Sequence, residues 1–260
     1  ENLTNKNNSE EFYLTDIVKV IRDKGLKTKL VLSNDEETQG INSKKDLARA
    51  ETYFQNKLRD KIFNSGVTLI DPQTIYFSHD TEIGKDSIVH PNVIFGPSVQ
   101  IGSNVEILSF SHLEGCTIAK GSKIGPFARV RPETHVEENV KIGNFVEIKK
   151  TTLKIGAKAN HLSYIGDAEI GPGTNIGAGT IFCNYDGVFK HSTQIGKNAF
   201  IGSNSSLIAP VNIGSRAFVG SGSVITNDVP DDALAISRVS QKNKKTLGKR
   251  IMEKLKSMKK

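Results

Sequence analysis

Between Lys149 and Gln194 the chain gathers side chains suited to chemistry on a phosphorylated substrate. The segment carries the cations Lys149 and Lys150, an imidazole at His161, the hydroxyls of Ser163 and Tyr164, and the amides of Asn160, Asn175 and Asn184. Arg129 and Arg131 lie just upstream, in Phe127-Ala-Arg-Val-Arg-Pro132. An imidazole titrating near neutrality can take and return a proton. Guanidinium and ammonium groups hold phosphate, and amides and hydroxyls orient a polar ring. Each group also has a plainer use. Cys183-Asn-Tyr-Asp-Gly187 has the composition of a tight turn, a lysine pair suits an exposed corner, and a lone histidine needs no role. Their concentration in one stretch is what points to group transfer.

The framework that must position these groups is written on both sides of them. An apolar residue recurs at every sixth position in Ile83, Val89, Phe95, Ile101, Ile107 and Leu113. After a slip of one residue the period resumes from Ile118 to Ile148, and beyond the polar stretch it returns from Ile195 to Ile225. Four residues after each anchor stands a small or β-branched residue, from Ser87 in the first run through Thr152, which closes the second, to Val229. Side chains alternate across a strand, so anchor and small residue both face inward on either side of a corner. Glycine follows many anchors, as in Ile83-Gly84, Ile142-Gly143 and Ile213-Gly214, and tolerates a tight corner. Six residues suit a coil of short strands, so the period predicts a solenoid of roughly eight to ten coils. A sandwich of amphipathic strands, the competing arrangement, has no need of so strict a spacing.

Bulk properties fit this reading. The 260 residues include 23 glycines and no tryptophan, which suits a narrow repetitive core. Two cysteines, Cys116 and Cys183, make no disulfide framework, so a reduced, cytoplasmic setting is expected. No membrane span or signal peptide is visible, and no membrane partner is expected. The net charge of +7 is concentrated in residues 240–260, where Leu247, Ile251, Leu255 and Met258 fall near helical spacing. This predicts a basic tail helix packed on the solenoid, with capture of an anionic ligand as the second use. No recognition motif or aromatic interleaving accompanies the charge, so nucleic acid is not an expected partner.

Residues 1–70 follow a different grammar. Thr15 and Asp16 precede a short helix ending near Gly25, Lys29 to Ser33 reads as a strand, and Ser43 caps a longer helix. That helix carries Leu47, Phe54, Leu58 and Ile62 on one face and stops before Gly66. The expected organisation is residues 1–42 as the end of another domain, 43–70 as a linker helix, 71–239 as the solenoid and 240–260 as the tail. An initial Glu in place of Met fits a piece of a longer protein.

Five motifs carry a family resemblance: Gly125-Pro-Phe-Ala-Arg-Val-Arg-Pro132, Gly143-Asn-Phe-Val-Glu-Ile-Lys-Lys150, His161-Leu-Ser-Tyr-Ile-Gly-Asp-Ala-Glu-Ile-Gly171, Asn175-Ile-Gly-Ala-Gly-Thr180 and Cys183-Asn-Tyr-Asp-Gly187. With Ala233-Leu-Ala-Ile-Ser-Arg238 they resemble the bacterial bifunctional glucosamine-1-phosphate acetyltransferase / N-acetylglucosamine-1-phosphate uridyltransferase family, from about Phe12 to Arg238. The resemblance implies an all-β solenoid, a left-handed parallel β-helix of hexapeptide repeats with a helical N-terminal segment, against the usual right-handed crossover rule. It also implies a homotrimer, and acetyl transfer from the co-substrate acetyl-CoA to the amine of glucosamine-1-phosphate. That step belongs to UDP-N-acetylglucosamine biosynthesis, which supplies peptidoglycan and lipopolysaccharide.

Position by position, the resemblance makes His161 the general base. Arg131 and Lys149 would hold the sugar phosphate, Tyr164 and Asn175 the ring, with Glu147 close enough to assist. Ala178, Asn184, Tyr185, Ser203, Ser221 and Arg238 match positions lining the acetyl-CoA site, and Lys190 is a further contact there. Residues 1–42 resemble the end of the uridyltransferase domain, through Glu11-Phe-Tyr-Leu-Thr-Asp16 and Gly40-Ile-Asn42. Asn42 matches a Mg2+ ligand that works only in the complete domain. The glycine-rich nucleotide loop is absent, so this chain is expected to lack uridyl transfer on its own. Three readings compete. A hexapeptide carbonic anhydrase needs converging histidines, whereas His79, His90, His112, His135, His161 and His191 are scattered. The others are an acyltransferase with a different acceptor and a non-catalytic scaffold subunit.

Overall fold

The computed structural model describes residues 3, 5 and 8–259, in two units that divide after Phe54. Residues 1, 2, 4, 6 and 7 of the expected N-terminal remnant, and residue 260 of the tail, lie outside the described residues.

In the first unit, helix α1 (Ile17–Asp23) follows a 3-10 turn at Leu14–Asp16, and α2 (Asp35–Thr38) precedes α3 (Lys44–Asn64), whose residues from Gln55 on belong to the second unit. Ser43 caps α3 as its position predicts: its Oγ accepts the Asp46 N–H at 3.1 Å and donates to the Asp46 carboxylate at 2.6 Å. The strand expected at Lys29–Ser33 does not form. Leu30, Val31 and Leu32 are about four-fifths exposed (83%, 79% and 87%) and pair with no ladder among the described residues, so propensity alone has nothing to pack against. No described residue before Gln55 is buried.

The second unit is a parallel solenoid, with a ten-stranded and a fourteen-stranded sheet whose ladders are all parallel. Successive coils stack Glu82 on Gln100 and Ile88 on Glu106, a step of 18 residues, or three hexads. At Gly115, which sits at φ +53, one residue is dropped and Gln100 stacks on Thr117. Every anchor of the three runs is buried, each worth roughly 1.5–3 kcal/mol of transfer free energy. The small inward residues are buried too, and their hydroxyls tie neighbouring coils together. Ser87 Oγ donates to Gly102 O at 3.0 Å and accepts from Val105 N at 3.1 Å; Ser122 repeats this with Glu137 O and Val140 N.

Thr152 departs from the pattern. The coil shortens by one residue at Lys150 (φ 46), so Thr151 takes the inward place and Thr152 is left half-buried. The period then persists through the polar stretch, with Leu153, Ala159, Ile165, Ile170, Ile176 and Phe182 all buried. What interrupts it is the loop after Cys183: the step is 17 from Lys158 to Asn175 but 25 from Asn175 to Phe200.

At the start of the solenoid the last turns of α3 cover the open edge. Gln55 exchanges two hydrogen bonds with the Phe77 backbone (2.7 and 3.0 Å), and Arg59 Nη2 donates to Ile75 O at 3.2 Å. At the far end, α4 (Leu247–Ser257) buries no residue. The expected packing of the tail on the solenoid is therefore absent, and Ile251, Leu255 and Met258 stay exposed. Lysines on both flanks keep this short helix solvated.

Candidate active site

One edge of the solenoid is a column of corner residues. Asn144 stacks under His161 in the register of their strands, and the Leu162 N–H donates to Asn144 O at 3.0 Å. The same link repeats upward, from Gly179 N to His161 O, Asn204 N to Ala178 O and Gly222 N to Ser203 O (3.3, 2.7 and 2.8 Å). Pairing of Ile201 with Val219 sets Ser203 under Ser221, and Arg238 lies alongside Gly222 at the top. Asn144, His161, Ala178, Ser203 and Ser221 thus share one edge. The N–H groups of Ala178, Ser203 and Ser221 have no backbone acceptor among the described residues, so the corners leave a row of free donors.

His161 stands exposed in this column. Its Nδ1 is 2.8 Å from Asn144 Oδ1, and Nε2 meets no protein partner among the described residues. The ring borders a groove of about 330 Å³ lined by Lys123, Gly125, Lys141, Asn144 and Asn160.

The next face, entered through Ser163 and Tyr164, is cationic. Arg129 stacks on Glu147 and Glu147 on Tyr164, while Lys149 stacks on Gly166. Arg131 Nη1 donates to Glu147 Oε1 at 2.8 Å, with both side chains a third or more exposed. The Lys190 ammonium beside Lys149 holds its pKa below the ordinary lysine value, with partial desolvation and Arg131 adding to the effect and Asp167 opposing it. Asp167 is buried; its Oδ2 accepts a 2.5 Å hydrogen bond from Asn184 Nδ2, and Lys150 Nζ lies 3.8 Å from its Oδ1. Asn184 Nδ2 also reaches the Tyr164 hydroxyl at 3.4 Å. Gly166 makes this possible, because a Cβ there would lie 2.6 Å from Tyr164 Oη and 2.7 Å from Asn184 Nδ2.

Lys190 and Tyr185 come from the inserted loop. Asp186 staples it, accepting the Val188 and Phe189 N–H groups at 2.8 and 2.7 Å and holding His191 Nε2 at 2.7 Å. The His191 hydrogen bond, then those two amides, pull the Asp186 carboxyl down to about 2. The Asn-Tyr-Asp-Gly turn is real, and it also presents Tyr185, which is exposed with its hydroxyl on Gly187 O. Burial pushes the Cys183 thiol up, and Cys116 to about 12, so neither is poised as a thiolate.

The sequence-predicted residues therefore form two groups. Arg131, Glu147, Lys149, Lys190, Tyr164 and Asn184 cluster on one face, where Lys190, expected beside the coenzyme, lies next to Lys149. His161, Ala178, Ser203, Ser221 and Arg238 follow the corner. Asn175 sits half-buried on the other adjoining face, stacked between Lys158 and Phe200. Asn144, Gly166 and Asp167 stand within the sequence motifs, but their residue types and spacing alone assign them no role. Asp167, a carboxylate at a break in the period, was the visible signal. Asn42 is exposed in the first unit. Among the described residues no group of three or more His, Cys, Asp or Glu is placed to hold a metal.

The family model for the bacterial transferase hexapeptide (six repeats) matches residues 80–115, 115–150 and 192–227. It leaves unmatched the stretch that holds His161, Tyr164, Asn175 and Asn184. The chain is 49% identical over 257 residues to the bifunctional protein GlmU of Jannaschia sp. (strain CCS1), covering 99% of this chain and 57% of that one. It is 52% identical to the bifunctional protein GlmU of Roseobacter denitrificans, over 100% of this chain and 58% of the relative. The chain thus spans a little over half the length of these relatives. The UDP-N-acetylglucosamine acyltransferase of Arabidopsis superposes with a TM-score of 0.47 at 19% identity, over 74% of this chain and 78% of that one.

Proposed function

The chain belongs to the hexapeptide-repeat transferases, in the family of the bifunctional GlmU proteins, and from that premise we propose that it transfers the acetyl group of acetyl-CoA to the amine of glucosamine-1-phosphate. The observation that carries the reading is the meeting of a free imidazole nitrogen, a row of unpaired N–H donors and a cation cluster around one edge of the solenoid. Arg131, Lys149 and Lys190 take the sugar phosphate, while Glu147 orients Arg131 by its 2.8 Å hydrogen bond. Tyr164 and Asn175 hold the ring. The coenzyme runs up the corner past Ala178, Ser203 and Ser221 toward Arg238, with Asn184 and Tyr185 beside its thioester end.

In this reaction the amine nitrogen attacks the thioester carbonyl and His161 Nε2 takes the proton that nitrogen sheds, a contribution of about 10²–10⁴ in rate. The tetrahedral oxyanion is received by a free corner N–H, that of Ala178. Collapse breaks the carbon–sulfur bond and the thiolate leaves as coenzyme A, taking the proton back from His161. Residues 1–42 are the end of a uridyltransferase domain, 43–70 its linker helix and 71–239 the acetyltransferase.

The active form is a homotrimer. Phe110, Phe127 and Phe145 stack at 4.9 and 5.0 Å along the same edge, in the lower coils, followed by Leu162 next to His161, and all four are 44–59% exposed at positive φ. Bulky apolar residues exposed in the left-handed region are costly unless covered, and a second copy laid on them would stand beside His161. Mass spectrometry of the product from acetyl-CoA and a panel of amino sugars tests the substrate assignment. N-acetylglucosamine-1-phosphate as the dominant product is expected. Acetylation of a sugar without the phosphate at equal efficiency would refute it.

A further inference from the structure

We propose that Asn144 is the positioning residue of the catalytic base: its side-chain oxygen accepts the Nδ1 proton of His161, which fixes the tautomer that leaves Nε2 free to accept a proton. This rests on the reading of His161 as the general base. The pairing is built into the architecture. Asn144 ends the strand Lys141–Asn144, His161 ends the strand Lys158–His161, and the two residues are register partners one coil apart. Their side chains meet at 2.8 Å, from Asn144 Oδ1 to His161 Nδ1.

A neutral imidazole carries one proton on either nitrogen. An amide oxygen can only accept, so with Asn144 Oδ1 against Nδ1 that proton resides on Nδ1 and the lone pair on Nε2. Nε2 meets no protein group among the described residues, so nothing competes for it. The titratable groups in the groove beside the ring are Lys123, two coils below it, and Lys141, on the strand of Asn144; the strand of His161 itself adds Lys158. On the far side of the corner stands Tyr164. None of these is a carboxylate, so no anion takes over the Nδ1 proton. The coil-to-coil link at this point runs through main-chain atoms, Leu162 N to Asn144 O, and survives replacement of the side chain.

The test compares the full chain with Asn144→Ala, Asn144→Asp and His161→Ala in kcat and KM across pH, using acetyl-CoA and glucosamine-1-phosphate, alongside ¹⁵N chemical shifts of the imidazole. Asn144→Ala is expected to lower kcat about 10–100-fold, a share of what the base contributes, with KM little changed. Asn144→Asp keeps an acceptor at Nδ1 and restores most of kcat. Its negative charge favours the imidazolium, so the acidic limb of the rate profile moves to higher pH by about one unit. The ¹⁵N shifts in the original chain should show the proton on Nδ1, and in Asn144→Ala a mixture of tautomers. Loss of activity in His161→Ala with an unchanged rate in Asn144→Ala, or with no pH displacement in Asn144→Asp, overturns the role of Asn144 alone. A proton found on Nε2 in the original chain does the same, independently of turnover. Full activity in His161→Ala removes the base itself, and with it the reading on which this inference rests.

Discussion

Two neighbouring parts of the same solenoid differ in what their inward and corner positions do. In the coils from Ile195 to Ile225 every sixth residue is a buried anchor, and Gly196, Gly202 and Gly214 approach the next coil so closely that a Cβ would strike its backbone at 2.4–2.5 Å. From Glu147 through the loop after Cys183 the anchors persist as far as Phe182, but Asp167 and Asn184 are also buried, and at Gly166 the nearest atoms are the ends of two side chains. The first region is built to repeat. The second has two slips of the period and one insertion, which turn polar groups toward a shared edge without breaking the core.

That contrast can be broken at chosen residues. The largest effect is expected from His161→Ala, a fall in kcat of two or more orders with the melting temperature unchanged, read by calorimetry beside the assay. Phe182→Ala should do the reverse. Its ring is fully buried just before the inserted loop, so denaturant titration should show a loss of about 3–5 kcal/mol. Gly171→Ala and Gly166→Ala sharpen the comparison within one strand and its end. The first places a Cβ 2.4 Å from the Gly196 carbonyl carbon and should destabilise the fold. The second displaces Tyr164 and Asn184 and should raise KM several-fold at little cost in stability.

Some of this was legible in the sequence. The eighteen anchors of the three runs named their own burial, because a strict period leaves one inward face. The continuation through Ala159 and Ile170 was hidden, since alanine does not read as an anchor and a one-residue slip breaks a six-residue count. Asn144 and His161 are 17 residues apart, a distance that means contact only once the shortened coil is known. Leu30 to Leu32 failed in the other direction: strand propensity was present, but the partner strand was not.

Smaller effects follow from the surface groups. Glu147→Gln should change stability by less than about 1 kcal/mol, because the pair with Arg131 is partly exposed. It should alter KM for the sugar phosphate by freeing the guanidinium. The Asp186 staple gives a pH signature. Its carboxyl is held at about 2 against an ordinary 3.8, so the stabilisation it gives the loop is present above the ordinary value and is lost as pH falls through about 2. A carboxyl titration followed by NMR should find that midpoint, and one near 3.8 would mean the staple is open in solution.

The most direct test of the central claim is release of free thiol from acetyl-CoA in the presence of glucosamine-1-phosphate, by the original chain and by His161→Ala. Turnover in the first and a loss of two or more orders in the second is the predicted result. Equal turnover in both, or none in a folded trimer of the original chain, would contradict it.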